Sequence, residues 1–250
     1  MKTRHLIAIM LALLVFPSCE TLMKPMPGVP PEQRQAIYER ASQMAFPEAR
    51  KLGRSKARRL PLKKGQWIAT LAEMKGEGED VTLTVTKVIS VEKSKVTLEQ
   101  EIRSASGKGA LTCTQITFDN FPVKAPLSYT REGFDAVTSK LKILRMRTKA
   151  PDGTITETPP QVLAMGLSNP FFSGASMRLG ETSRTGFSGT YIASKNCFEH
   201  YYELSMTGPS LQGRSLTHSS VPVTGMVQDE NDAAITTTVA YGYKGATSSF

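Results

Sequence analysis

Histidine and cysteine are the scarcest of the side chains that carry acid, base or metal chemistry here, three of each in 250 residues. His5 precedes the first apolar run, which leaves His200 and His218. His200 follows Glu199 in F-E-H-Y-Y, and a carboxylate beside an imidazole is the raw material of acid/base catalysis. The flanking residues read as a strand, however, and strand neighbours point to opposite faces, so the two cannot cooperate. His218 and Ser219 share that defect as a base and nucleophile. The motifs G-x-S-x-G, G-x-x-x-x-G-K-[ST] and H-E-x-x-H are missing. Gly186, Phe187, Ser188 and Gly189 lack the strand-to-helix context that exposes a catalytic serine. Neither histidine belongs to a recognised zinc motif, and no C-x-x-C is present, so no metal and no cofactor is expected. The expectation is a protein that is not an enzyme.

The remaining chemistry lies in three cysteines. Lys2, Arg4 and His5 precede an apolar run from Leu6 to Phe16, and Pro17, Ser18 and Cys19 follow, which is the order of an export signal. Eleven apolar residues cannot span a bilayer core that needs about 20. No A-x-A-like cleavage site follows the run. The F-P-S-C stretch resembles the lipobox of bacterial lipoproteins, with Ser18 in pattern, Phe16 where leucine is usual and Pro17 where a small or β-branched residue is usual. The resemblance implies removal of residues 1–18 and a diacylglycerol on Cys19, which becomes the acylated N-terminus. It also implies an outer-membrane position facing the periplasm, because Glu20 is not the aspartate that retains such proteins at the inner membrane. More than one acyl chain, at about 0.8 kcal/mol per buried CH₂, makes such an anchor stable. The alternative is an ordinary Cys19 beside an unusual cleavage site.

Processing at Cys19 removes Lys2 and Arg4 and no acid, so the formal charge falls from +9 to 9 − 2 = +7. That excess favours anionic surfaces such as lipid headgroups; an exported chain seldom meets nucleic acid, which is excluded as a partner. The charge is concentrated in Arg50, Lys51, Arg54, Lys56, Arg58, Arg59, Lys63 and Lys64, a run with no acid. Such a run can attract an anionic membrane at about 1 kcal/mol per residue near the surface, or form only a solvated face. Cys113 and Cys197, 84 residues apart, are a candidate disulfide worth at most about 4 to 5 kcal/mol. The alternative is two buried, inert thiols on separate strands.

The elements that must position these groups follow from pattern. Residues 19–31 hold four prolines and read as a tether. Residues 32–64 read as a basic helical segment, with helices over about 32–46 and 47–58. From residue 65 to 250 the chain reads as an antiparallel β domain. Trp67, Ala69 and Leu71, then Val81, Leu83 and Val85, then Val96 and Leu98, then Leu111 to Ile116 give short strands at even spacing with turns between. A short helix is expected from Thr130. A hairpin joins the strand ending near Met146 to Ile155 across K-A-P-D-G-T. The segment Q-V-L-A-M-G-L can be a short covering helix, and S-N-P-F-F-S-G-A a mobile apolar gate, or both can simply close the core. Strands are expected at 190–194, 198–206, 214–218, 221–228 and 234–243, with Pro222 at a bulge or sheet edge.

The phrases S-S-V-P-V-T-G-M-V and T-V-A-Y-G-Y-K-G-A resemble the endings of uncharacterised exported bacterial proteins of strand-rich, half-barrel type. The expected fold class is α+β, mainly antiparallel β, as a curved sheet or half-barrel with N-terminal helices and a short covering helix. The leading functional expectation is an acyl-anchored envelope lipoprotein that binds a hydrophobic or amphiphilic ligand in the curved sheet. The alternative is a non-catalytic structural or interaction lipoprotein whose basic helix contacts membrane or an envelope protein partner.

Overall fold

Alternation of β-branched and polar side chains, as in V-T-L-T-V-T from Val81, favours extended backbone with one packed face. The computed structural model describes residues 50–56, 58, 60–75, 81–104, 112–123, 140–163, 176–189, 191–205 and 211–250. Its strands are β1 (Arg50–Arg54), β2 (Trp67–Met74), β3 (Val81–Glu92), β4 (Lys95–Ser104), β5 (Thr112–Asp119), β6 (Lys142–Lys149), β7 (Ile155–Glu157), β8 (Ser176–Ser188), β9 (Ile192–Ser205), β10 (Leu211–Thr217), β11 (Met226–Asn231) and β12 (Ala234–Gly242). The leader with Cys19, the tether, the helix expected over 32–46, the one from Thr130 and the aromatic loop at 168–175 lie outside the described residues.

Strands β2 to β7 form one antiparallel meander and β9 to β12 a second, and β12 pairs with β2 to splice them into a twelve-stranded sheet. Strand β8 runs along β9 from Ala193 to Ser205 and occupies one of its edges. The other edge is shared end to end: β1 pairs in parallel with Ile192 to Asn196, and β10 antiparallel with Phe198 to Leu204. The sheet is therefore curved and unclosed, with β8 and β7 as its margins. Register shifts at Val88/Ser90, Thr117/Phe118, Leu216/Thr217 and Thr238/Ala240 supply local bends. The core draws on most of this sheet, with Ile68, Leu71, Val88, Val96, Ile116, Ile192 and Val227 nearly or wholly sealed from solvent. Each such side chain contributes about 1.5 to 3 kcal/mol relative to exposure.

Two glycines are required by packing. Gly213 faces Tyr202 across β10 and β9, Gly242 faces Trp67 across β12 and β2, and a Cβ at either position would overlap the facing ring. At both positions an aromatic ring of the neighbouring strand lies over a bare backbone.

The mainly antiparallel β architecture holds, but the helical expectations change. Residues 50–54, placed in a second N-terminal helix by the sequence reading, form β1 instead. Two physical terms oppose the helix: Gly53 costs about 1 kcal/mol, and Arg50 and Arg54 are like charges at helical i,i+4 spacing. Pairing with β9 supplies the hydrogen bonds and buries Leu52. The covering helix is described only as one turn at residues 160–163, with Leu163 buried and Val162 exposed. Pro222 lies in the turn between β10 and β11, neither at a bulge nor on a sheet edge, and the strand expected from residue 221 begins at Met226. There Val221 N–H donates to His218 O, Gly225 N–H to Pro222 O, and Val223 adopts a φ of 58°. The expected break at 195–197 is absent, since β9 runs unbroken through it, and β8 is a strand the sequence reading did not foresee.

The candidate disulfide is not formed, and the alternative of two buried thiols on separate strands holds. Cys113 on β5 and Cys197 on β9 are both free and buried, and six strands separate β9 from β5 along the sheet order. A disulfide needs Cα atoms within about 7 Å.

Candidate functional site

Cross-strand register assembles a row of polar side chains from residues distant in sequence. Lys87, Glu99, Gln115, Arg147 and Glu157 stand directly opposite one another on β3 to β7, and Glu101, Cys113 and Lys149 form the adjacent row. Directly opposed residues on neighbouring strands share a face, so opposite charges meet. Lys87 Nζ lies 3.3 Å from Glu99 Oε1 and also bonds Glu101. Gln115 Nε2 donates to Glu99 Oε2 at 3.0 Å, and Arg147 donates to Gln115 Oε1.

Glu99 and Gln115 are buried, Glu99 completely so, Lys87 and Arg147 are half-buried, and Glu157 at the margin is exposed. Burial alone would raise the Glu99 carboxyl, but donors from Ser248, Ser249 and Gln115 and the Lys87 charge hold it below its ordinary value. Burial alone would lower the Lys87 ammonium; Glu101 and Glu99 outweigh that and hold it above its ordinary value. Burial, then the charges of Glu99 and Glu101, push the Cys113 thiol up to about 12. Glu99, Glu101 and Cys113 bring three ligand atoms within 4.8 Å of one another. The Lys87 ammonium already stands among the carboxylates as their counter-ion, and a protonated thiol is a poor ligand, so this geometry does not fit a metal centre.

A second polar row crosses β9 to β11 and joins His200, Ser215 and Asp229 as successive cross-strand partners. A histidine, a serine and an aspartate together suggest nucleophilic chemistry, but Ser215 stands in the middle, where a triad needs the imidazole. None reaches solvent appreciably: His200 and Ser215 are sealed and Asp229 is 6% exposed. His200 Nε2 lies 3.2 Å from Thr217 Oγ1. Tyr202 Oη donates to Asp229 Oδ1 at 2.8 Å. Glu199 points elsewhere, to Arg214, Ser183 and Tyr201, so it does not act with His200. Cys197 and His200 form a C-x-x-H spacing that the strand conformation divides between opposite faces.

His218 and Ser219 hold β1. His218 Nε2–H donates to Gly53 O at 2.9 Å, and Nδ1 accepts the Ser220 N–H at 3.0 Å, which fixes the neutral tautomer. Ser219 N–H donates to Ser55 Oγ at 3.0 Å, and Ser219 Oγ accepts the Lys56 N–H at 2.9 Å. Of the basic run, Lys51, Arg54, Lys56, Arg58, Lys63 and Lys64 are exposed. Arg59 lies outside the described residues, and of Arg50 only the backbone, in β1, is described.

Beside the second row an open depression of about 660 Å³ is lined by Tyr201, Tyr202, Gly213, Arg214, Lys75 and Glu230, among others. Tyr201 is half exposed, and Lys75 Nζ pairs with Glu230 Oε1 at 3.0 Å. Neither polar row nor this depression was foreseen; the charges of K-V, L-E-Q-E and L-R-M-R-T-K segments, placed inside β-patterned runs, were the available signal.

No family model matches the sequence, and no curated protein matches it. Among solved structures, a Bacteroides fragilis protein designated exported, with a YmcC-like fold, superposes with a TM-score of 0.35 at 10% identity, over 75% of this chain and 100% of that one. A Parabacteroides distasonis protein designated a lipoprotein gives a TM-score of 0.32 at 12% identity, over 73% of this chain and 97% of that one. Scores this low assign neither an activity nor a ligand.

Proposed function

We propose that this chain is an acyl-anchored cell-envelope lipoprotein that acts without catalysis, its sheet held beside a bilayer by Cys19 and its basic run touching the anionic surface or an acidic face of an envelope protein. The observation that carries the reading is the exposure of Lys51, Arg54, Lys56, Arg58, Lys63 and Lys64 on the segment that leads from the tether into the sheet. Each adds about 1 kcal/mol of attraction near an anionic surface, on top of the acyl chains. Placement at the outer membrane, facing the periplasm, belongs to the same proposal and rests on the leader alone.

Two measurements test it. Fatty-acid labelling should mark the parent and not Cys19→Ala; label-free parent protein would end the lipoprotein reading. Replacing the six basic residues by glutamine should cut co-sedimentation with vesicles containing anionic lipid at least tenfold, about 1.4 kcal/mol, and leave neutral vesicles unaffected. Equal sedimentation of both forms would remove the electrostatic part.

A second reading, an amphiphilic ligand on the curved sheet, is favoured by the depression beside Tyr201. It joins aromatic surface to paired charges. Native mass spectrometry of protein taken from membranes should then show bound lipid, and Tyr201→Ser should remove it; bare protein in every preparation would sink this reading.

A further inference from the structure

The charged row is completed by residues that belong to no strand. Glu99 receives two bonds from its own sheet, Lys87 and Gln115, and two from beyond β12: Ser248 Oγ–H at 2.7 Å and Ser249 N–H at 2.8 Å. Glu101 likewise accepts the Ser249 hydroxyl. In return Lys87 Nζ donates to Thr247 O at 3.3 Å and Lys149 Nζ to Ser249 O at 2.6 Å. Arg147 places its guanidinium 4.6 Å from the centre of the Phe250 ring. The sheet therefore offers carboxylates for an N–H and two hydroxyls, ammonium groups for two carbonyls, and a cation for an aromatic face. That is a full set of partners for one extended peptide.

The segment that fills these positions is lightly held otherwise. It pairs with no strand of the sheet. Among the described residues its backbone bond to the rest of the fold is Ala246 N–H to Gly65 O at 3.0 Å. Gly245, at a φ of 98° with open space around it, gives the chain a pivot. Thr247 and Ser248 are exposed, and Ser249 and Phe250 half-buried. Few buried apolar contacts and a half-wet backbone mark a segment that opens locally without unfolding the sheet.

We propose that the row on β3 to β6 is a recognition groove for an extended segment of a partner protein that presents adjacent hydroxyl side chains followed by an aromatic ring, and that residues 247–250 fill it in cis as a displaceable plug. Glu99 excludes segments with an acidic or phosphorylated residue at the first hydroxyl position, since like charges would meet there; the second position also faces Lys87, whose Nζ lies 2.9 Å from Ser249 Oγ. The inference goes beyond membrane contact and stands independently of it.

The test is the chain carrying Ser248→Asp, in which the plug is repelled by Glu99. A fluorescent peptide of sequence G-A-T-S-S-F should bind this variant at least about tenfold more tightly than the parent, whose plug competes at an effective concentration in the millimolar range. The same peptide with aspartate at its first serine should not bind. A variant with native circular dichroism that ignores the peptide, or a parent that binds equally well, overturns the proposal. So does a concentration-dependent dimer of the parent, which would mean exchange of the plug between copies. If the variant does not fold, amide exchange on the parent decides: the Ser249 N–H should exchange at least about a hundredfold faster than β4 amides, and equal protection overturns the idea.

Discussion

Asp229 offers the sharpest test of how burial and hydrogen bonding trade off inside this sheet. Its carboxyl is 6% exposed and accepts bonds from Tyr202, Ser215 and Asn231. Burial outweighs those bonds and raises its pKa from 3.8 to about 6. A carboxyl raised in the folded state holds its proton more tightly there than in the unfolded chain. Its stabilising contribution is therefore complete below pH 3.8 and lost as pH rises through about 6. The difference, 6 − 3.8, is about 2.2, and at 1.36 kcal/mol per pH unit amounts to about 3 kcal/mol. Asp229→Asn removes the titration and keeps an acceptor for Tyr202. Any fixed cost of the amide is the same at every pH and cancels when two pH values are compared. Urea unfolding of parent and variant from about pH 3.5 to 8 reads the effect directly. The variant should gain on the parent by about 3 kcal/mol, with the rise between pH 4 and 7. A stability difference that stays flat across that range would refute the burial argument. A difference that falls would mean that the three hydrogen bonds outweigh desolvation.

His218 should show the opposite sign, because burial lowers its pKa from 6.5. The stability it contributes is present above 6.5 and lost as pH falls through the folded value; imidazole NMR at about pH 7 should find it neutral with the proton on Nε2, and a protonated ring would contradict the Gly53 and Ser220 bonds. Gly213→Ala and Gly242→Ala should each cost about 1 to 3 kcal/mol through overlap with Tyr202 and Trp67, read as a lowered Tm, and an unchanged Tm would show that the rings have room to move. Cys113 and Cys197 should resist thiol reagents in the folded chain and react in denaturant, since burial raises both thiols; rapid native labelling of either would place it at the surface. Tyr202→Phe should lower the stability of the β9 to β11 region by about 1 to 3 kcal/mol, with the loss growing above pH 6, where Asp229 is charged and most needs its donor.

The parts of the fold legible in the sequence are those where one face alone is packed. At the start of β3 the alternation survives, with Val81 and Leu83 buried between half-exposed Thr82 and Thr84, and P-D-G marked the β6–β7 hairpin because turn residues act locally. Strand β8 was hidden because its polar S-M-R-L-G-E-T-S-R-T-G-F-S sequence carries no clean apolar period. Its hydrogen bonds come from lying beside β9 rather than from its own preferences. Strand β1 misled for a related reason. A preceding proline and a run of long side chains point to a helix, yet what decides it is the edge of β9 left open where β10 ends.

The polar rows were illegible for a stricter reason. Lys87 meets Glu99 across 12 residues, Glu99 meets Gln115 across 16, and Gln115 meets Arg147 across 32. Each juxtaposition depends on register, and a one-residue slip in any pairing would send a whole strand's side chains to the opposite face. No spacing rule on the linear chain can encode that. What the sequence did carry was an inconsistency: K-V, L-E-Q-E and L-R-M-R-T-K put charges inside runs whose neighbours are core residues. A strand that buries a charge needs its partner on the next strand. The sheet supplies part of that compensation through Lys87 and Gln115, and Ser248 and Ser249 supply the rest of the donors that Glu99 receives. A buried carboxylate whose partners come half from a rigid sheet and half from a pivoting segment has two levels of stability built into it. The half on the sheet belongs to folding, and the half on the segment is where binding can enter.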